Sequence, residues 1–143
     1  MSFTARWSIR DVDGGPDKGA IRTVTTDAEV DDLVGLLSDD VAETARIHHA
    51  DRPLVPAPFT GKPGADHVLT AAVHAGYGYL GYLDPDHDFG HPVGDPASPV
   101  YHSDSEEFDA GSGIPVETLT SALKEFLATA QRPTCVDWTP ASP

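Results

Sequence analysis

The 143-residue chain has one cysteine and only nine lysines and arginines, and each scarcity removes a class of function. A lone thiol, Cys135, can form no intramolecular disulfide and cannot supply a structural zinc site of two or more thiolates, so a reducing cytoplasm is the expected compartment. Against 23 aspartates and glutamates the few basic residues leave a formal net charge of -14 and a pI near 4.5. A field of that sign repels phosphate backbones and anionic lipid surfaces, which argues against direct binding of nucleic acid or membrane. Long apolar runs are missing too. No stretch approaches the ~18 residues needed to span a bilayer, and residues 1–10 lack the basic start and apolar run of a secretory leader. Nor is there an internal repeat, a Gly-x-Ser-x-Gly elbow or a phosphate-cradling glycine loop. The run from Gly76 to Gly81 has no helix behind it and reads as close strand packing.

What is present suits one compact domain over residues 1–143, with 13 glycines and 13 prolines foretelling long, turn-rich connections. Phe3, Ala5, Trp7 and Ile9 alternate with Thr4, Arg6, Ser8 and Arg10, the period of a half-buried strand, and residues 21–25 are placed to pair with it as a hairpin. Thr26 and Glu29 form a capping box ahead of Val30, Leu33, Val34 and Leu37, which predicts a helix over residues 27–38. Residues 41–48 read as a further strand, the proline-rich residues 51–64 as a loop, and residues 67–74 and 77–83 as a hairpin turning at Ala75 and Gly76. Turn residues dominate positions 84–109, with a short strand over 99–102. Pro115 opens a second helix with Val116, Leu119, Leu123, Phe126, Leu127 and Ala130 on one stripe, and residues 134–138 read as a closing strand with Cys135 buried in it and Trp138 packed on that helix. The sum is an α+β fold, a mainly antiparallel sheet with two helices packed on one face.

Candidate chemistry is sparse. Asp84, Asp86 and Asp88 alternate as in a calcium loop, with Asp95 at the twelfth place. Phe89 stands where such a loop needs glycine, and strands rather than helices flank it, so a solvated acidic loop is the better reading. Seven histidines, His48, His49, His67, His74, His87, His91 and His102, could in principle join carboxylates in a metal site, but none shows helical ligand spacing. No catalytic residue, metal or cofactor is assigned. Charge distribution says more. Between Lys62 and Lys124 there is no lysine or arginine, while Asp66, Asp84, Asp86, Asp88, Asp95, Asp104, Glu106, Glu107, Asp109 and Glu117 all fall there. Aromatics such as Tyr101 and Phe108 lie among these carboxylates, as on a surface that binds a basic protein.

Residues 100–108, 114–127 and 132–138, with Trp138 at the end of the last segment, resemble the actinobacterial immunity proteins encoded beside polymorphic toxins, in particular the family accompanying deaminase toxins. That resemblance implies a small cytoplasmic α+β protein without catalysis that binds one toxin domain and keeps it from its substrate. A nucleic-acid-acting toxin presents a basic cleft, and an acidic partner can fill it. The expected partner-binding residues are Asp84, Asp86, Asp88, Tyr101, Asp104, Glu106, Glu107 and Asp109, projecting from one edge of the sheet, with hot spots in the Asp104 to Asp109 group. Two alternatives stand beside this reading: a small metal-dependent enzyme using the histidines and the Asp84 loop, and a binding module for some other basic partner.

Overall fold

The computed structural model describes residues 1–103 and 106–142. Its centre is an antiparallel sheet of β1 (Phe3–Ile9), β2 (Lys18–Val24), β3 (Ala45–His49), β6 (Val68–His74), β7 (Tyr77–Asp84), β8 (His87–Pro92) and β12 (Trp138–Pro140), in the spatial order β12-β8-β7-β6-β3-β1-β2, with the two-residue β11 (Ile114–Pro115) pairing on β7. Two small hairpins stand apart from it, β4 (Leu54–Pro56) with β5 (Pro63–Ala65) and β9 (Tyr101–Ser103) with β10 (Glu106–Phe108). Helices α1 (Asp27–Leu37) and α2 (Val116–Thr129) cover one face.

Local sequence accounts for the best-formed elements. The alternation in β1 puts Phe3, Ala5 and Trp7 into the core while Arg6 faces out, and β1 pairs with β2 over its full length. At α1 the Thr26 hydroxyl accepts from the Glu29 N–H at 3.2 Å, and the Glu29 carboxylate takes the Thr25 N–H at 3.1 Å, so orphan donors at the helix start are satisfied. The β6–β7 turn is two residues long, with Ala75 and Gly76 both at positive φ, the backbone that matches strand twist. Beside it, a Cβ on Gly78 would sit 2.6 Å from Leu119 Cβ, so only glycine lets α2 lie this close to β7.

The main core joins Phe3, Ile47, Leu69, Leu80 and Tyr82 from the sheet to Val30, Leu33, Leu37, Leu119, Leu123 and Phe126 from the helices, all essentially without exposure. A smaller cluster fills the other face: Tyr79 and Ala72 lie under Phe108 and Tyr101 of the β9–β10 hairpin. That hairpin reaches across the sheet, since the Ser103 hydroxyl accepts from the Thr44 N–H at 2.9 Å and Glu106 pairs with Arg46.

Four expectations are corrected. The strand placed at residues 41–48 begins only at Ala45, because Ala42 bridges Ile9 and the chain turns before it. The proline-rich segment is not an irregular loop but holds the β4–β5 hairpin, whose terminal pair opposes Pro56 to Pro63. Residues 87–92 form strand β8 and residues 106–108 strand β10 where turn composition was read. The closing strand is Trp138–Pro140 rather than 134–138, which leaves Cys135 exposed on a bend instead of buried.

Candidate functional site

The expected site residues lie in two places. Asp84, Asp86 and Asp88 belong to the tight β7–β8 connection, at the end of the sheet where β3 finishes and β6 begins. Tyr101, Glu106, Glu107 and Asp109 belong to or adjoin the β9–β10 hairpin on the open face, so the two groups do not project from a single edge. Asp104 lies outside the described residues. Side chains differ as much as positions. The Asp84 side chain is 1% exposed and fully engaged, whereas Asp86 and Asp88 face solvent. Glu106 is held by Arg46, and Asp109 takes His91 Nδ1 at 3.3 Å and the Ser142 N–H at 3.0 Å. Glu107 stays exposed beside His102, 3.0 Å away. Tyr101 is half-buried, stacked on His74 at 4.2 Å between ring centroids and parallel to Phe108.

Asp84 belongs to a buried network that the sequence did not announce. Arg52, just before β4, grips Asp66, just after β5, through two bonds of 2.9 Å. The same guanidinium donates to the Tyr82 hydroxyl at 3.2 Å and the Ala130 carbonyl at 3.0 Å, and lies 3.5 Å from Asp84. Tyr82 in turn donates to Asp84 at 2.7 Å, and Asp84 also accepts from the Asp86 N–H and from His87 Nδ1. The Arg52 bonds hold the Asp66 carboxyl below the usual carboxylate range. Burial would raise Asp84, but the bonds from Tyr82, His87 and Asp86 outweigh it and the net direction is down. Tyr82, desolvated and bonded to a carboxylate, is pushed well up and stays a phenol.

Two histidines complete the network, each ring nitrogen with a defined partner. His67 Nε2 accepts from the His49 N–H at 2.8 Å, so its proton sits on Nδ1 and goes to Asp66, also at 2.8 Å. His49 Nδ1 accepts from the Asp51 N–H, so its Nε2 donates to the Leu127 carbonyl at 2.9 Å. Helix α2 has no basic residue in its last turn and ends at Ala130 in the left-handed region. Arg52 and His49 therefore supply from elsewhere the donors that its final carbonyls need. The network is architectural.

The remaining histidines are spent singly on acidic or aromatic neighbours, and among the described residues no group of three or more His, Cys, Asp or Glu side chains converges as metal ligands would. A concavity of about 610 Å³ is a groove walled by Arg10, Glu43, His74, Tyr101 and His102, in which Arg10 and Glu43 pair at 3.1 Å. Its Ser38 hydroxyl is committed to the Val34 carbonyl at the end of α1.

Sequence reasoning passed over the β4–β5 hairpin as a candidate surface. Phe59 at its tip is wholly exposed, Leu54 is 69% exposed and Val55 38%. The signal was in the sequence as Leu54-Val55 and Phe59 set between prolines, but the prolines masked it as loop.

Together these features define a class: a small acidic α+β domain whose buried charges are consumed in holding the fold, and whose free carboxylates and apolar arm face outward. The Imm1 family of immunity proteins matches residues 18–140, and the chain belongs to that family. Membership brings an immunity role, exercised by binding a cognate toxin. In fold the chain is similar to a hypothetical protein from Neisseria gonorrhoeae known from its crystal structure, with a TM-score of 0.51 at 10% identity, over 93% of this chain and 91% of that one. No curated protein matches the sequence. Among the described residues no helix is long and apolar enough to cross a membrane.

Proposed function

We propose that this protein protects the cytoplasm from a nucleic-acid cytosine deaminase toxin by occluding the toxin's basic active-site cleft, without catalysis of its own. The observation that carries the reading is the charge pattern: a net charge of -14 with no lysine or arginine between Lys62 and Lys124. A toxin that must hold phosphates against its catalytic centre offers the complementary field, which speeds encounter and rejects neutral partners. The resemblance of residues 100–108, 114–127 and 132–138 to immunity proteins that accompany deaminase toxins supports the choice of toxin class. In the proposed contact Asp86 and Asp88 on the β7–β8 turn and Glu107 and Tyr101 on the open face meet toxin arginines and lysines at two separate patches, and Asp104 is assigned to it from the sequence alone. Asp84, Glu106 and Asp109 support it from within.

The test is inhibition of a purified toxin domain, encoded beside this chain, acting on cytosine in nucleic acid. Stoichiometric inhibition is expected, with an association rate that falls as salt rises. Asp86→Asn, Asp88→Asn and Glu107→Gln should each slow association modestly and in a salt-dependent way, since rim charges govern encounter. Association indifferent to salt, with every variant unchanged, would show that the acidity serves solvation only.

A further inference from the structure

We propose that the β4–β5 hairpin is an apolar anchor that inserts into a recess beside the toxin's basic cleft, with Phe59 as its central contact; this rests on the toxin-binding function proposed above. The hairpin pairs only with itself. It nevertheless presents Leu54, Val55 and a wholly exposed Phe59, the last of which buries nothing in the free protein. Two-stranded hairpins are marginal in water, so this one needs outside support, and it has three kinds. Pro56, Pro58 and Pro63 restrict its backbone. The Ala57 N–H to Lys62 carbonyl bond of 2.9 Å and the Gly61 N–H to Ala57 carbonyl bond of 3.0 Å close its tip. The bidentate pair of Arg52 and Asp66 clamps its root. An arm already held in shape loses little freedom on binding, which is what an anchor requires.

The occupant follows from what lies beside the root. Arg52 reaches Asp84 at 3.5 Å, and Asp84 carries the β7–β8 turn, where Asp86 and Asp88 face solvent and Leu83 is 42% exposed. An apolar arm whose root adjoins a turn with free carboxylates matches a basic protein surface with an apolar pocket beside it. It does not suit a second copy of this chain, because two such arms would bring like charges together. Anionic lipid is disfavoured on the same ground.

The experiment measures binding of an inactivated form of the toxin domain encoded beside this chain to the parent protein, Phe59→Ala, Phe59→Tyr and Leu54→Ser, with the thermal midpoint of each variant and the sedimentation of the free proteins. Phe59→Ala should keep the parent's melting temperature and raise Kd at least 30-fold, mainly through faster dissociation, while Phe59→Tyr stays near the parent. A Kd for Phe59→Ala within about threefold of the parent overturns the anchor while leaving the toxin-binding function intact. A parent that fails to bind the toxin at all overturns that function and the anchor with it. Self-association of the parent that Phe59→Ala abolishes would assign the arm to a second copy instead.

Discussion

Replacing Arg52 by methionine tests the buried network directly. The change keeps much of the side chain's length but removes the two bonds to Asp66 and those to Tyr82 and the Ala130 carbonyl. Two carboxylates whose side chains are 7% and 1% exposed then lose their cation. Breaking a buried pair by removing one partner costs about 3–5 kcal/mol, which for a domain of this size lowers Tm by roughly 10–20 °C. The pH dependence gives a sharper check. In the parent, Asp66 and Asp84 have carboxyls depressed below their unfolded values, so their contribution is complete above the unfolded pKa near 4 and is lost as pH falls through the lower folded values. In Arg52→Met the Asp66 carboxyl, which Arg52 holds down, rises and protonates sooner within the folded state, so the variant loses less on acidification. Urea unfolding should thus show a gap of about 3–5 kcal/mol at pH 7 that narrows to below about 2 kcal/mol at pH 3. A gap under about 1 kcal/mol at pH 7, or one that does not narrow, would refute the assignment of the network as the clamp on α2 and the hairpin root.

Trp138 is half-buried, with its ring 6.2 Å from that of Tyr82, its N–H donating to the Pro133 carbonyl at 2.7 Å and Arg132 lying 5.5 Å over it. Trp138→Ala should therefore cost about 2–3 kcal/mol, less than the 3–5 of a fully buried ring, as read by chemical denaturation. His91 is 1% exposed, its Nε2 has no partner among the described residues, and burial lowers its pKa although Asp109 opposes the shift. The unfolded chain thus takes up a proton near pH 6.5 that the folded one refuses, so stability present above that pH drains away as pH falls toward 5. His91→Phe, an uncharged ring set beside Phe89 and Phe108, should flatten that slope, and a ring of His91 that titrates above 6.5 by NMR would contradict the argument.

Much of the fold was legible because its signals are local. Alternation in β1, the Thr26 and Glu29 cap, the Ala75-Gly76 turn and the α2 stripe each lie within one short segment and came out where expected. Strand β8 was not legible, since His87-Asp-Phe-Gly-His-Pro92 has the composition of a turn and becomes a strand only because β7 and β12 flank it. The β4–β5 hairpin was hidden in the same way, its prolines tolerated because among the described residues no further strand pairs with it. For the site, the acidic pattern was visible and its partition was not. Asp84 is held by Tyr82, Asp86 and His87 within three positions of it and by Arg52, 32 positions earlier, and no local pattern encodes that last, distant pairing. Likewise Cys135 sits in an apolar run that looks like strand interior, yet Thr134 and Cys135 use their N–H groups on the Glu125 carboxylate and leave the thiol outside.

The donors that finish α2 precede their carbonyl acceptors by 78 positions, His49 for Leu127 and Arg52 for Ala130. The last turn of the helix thus cannot be completed by its own neighbourhood, and the root of the hairpin cannot settle until the helix arrives. Each segment is the other's missing terminus, which makes the domain indivisible: a nick anywhere between them leaves two fragments that must find each other to fold. Closing so long a loop places folding in the slower, topology-limited range, and protection begins only when the whole span has been made and closed.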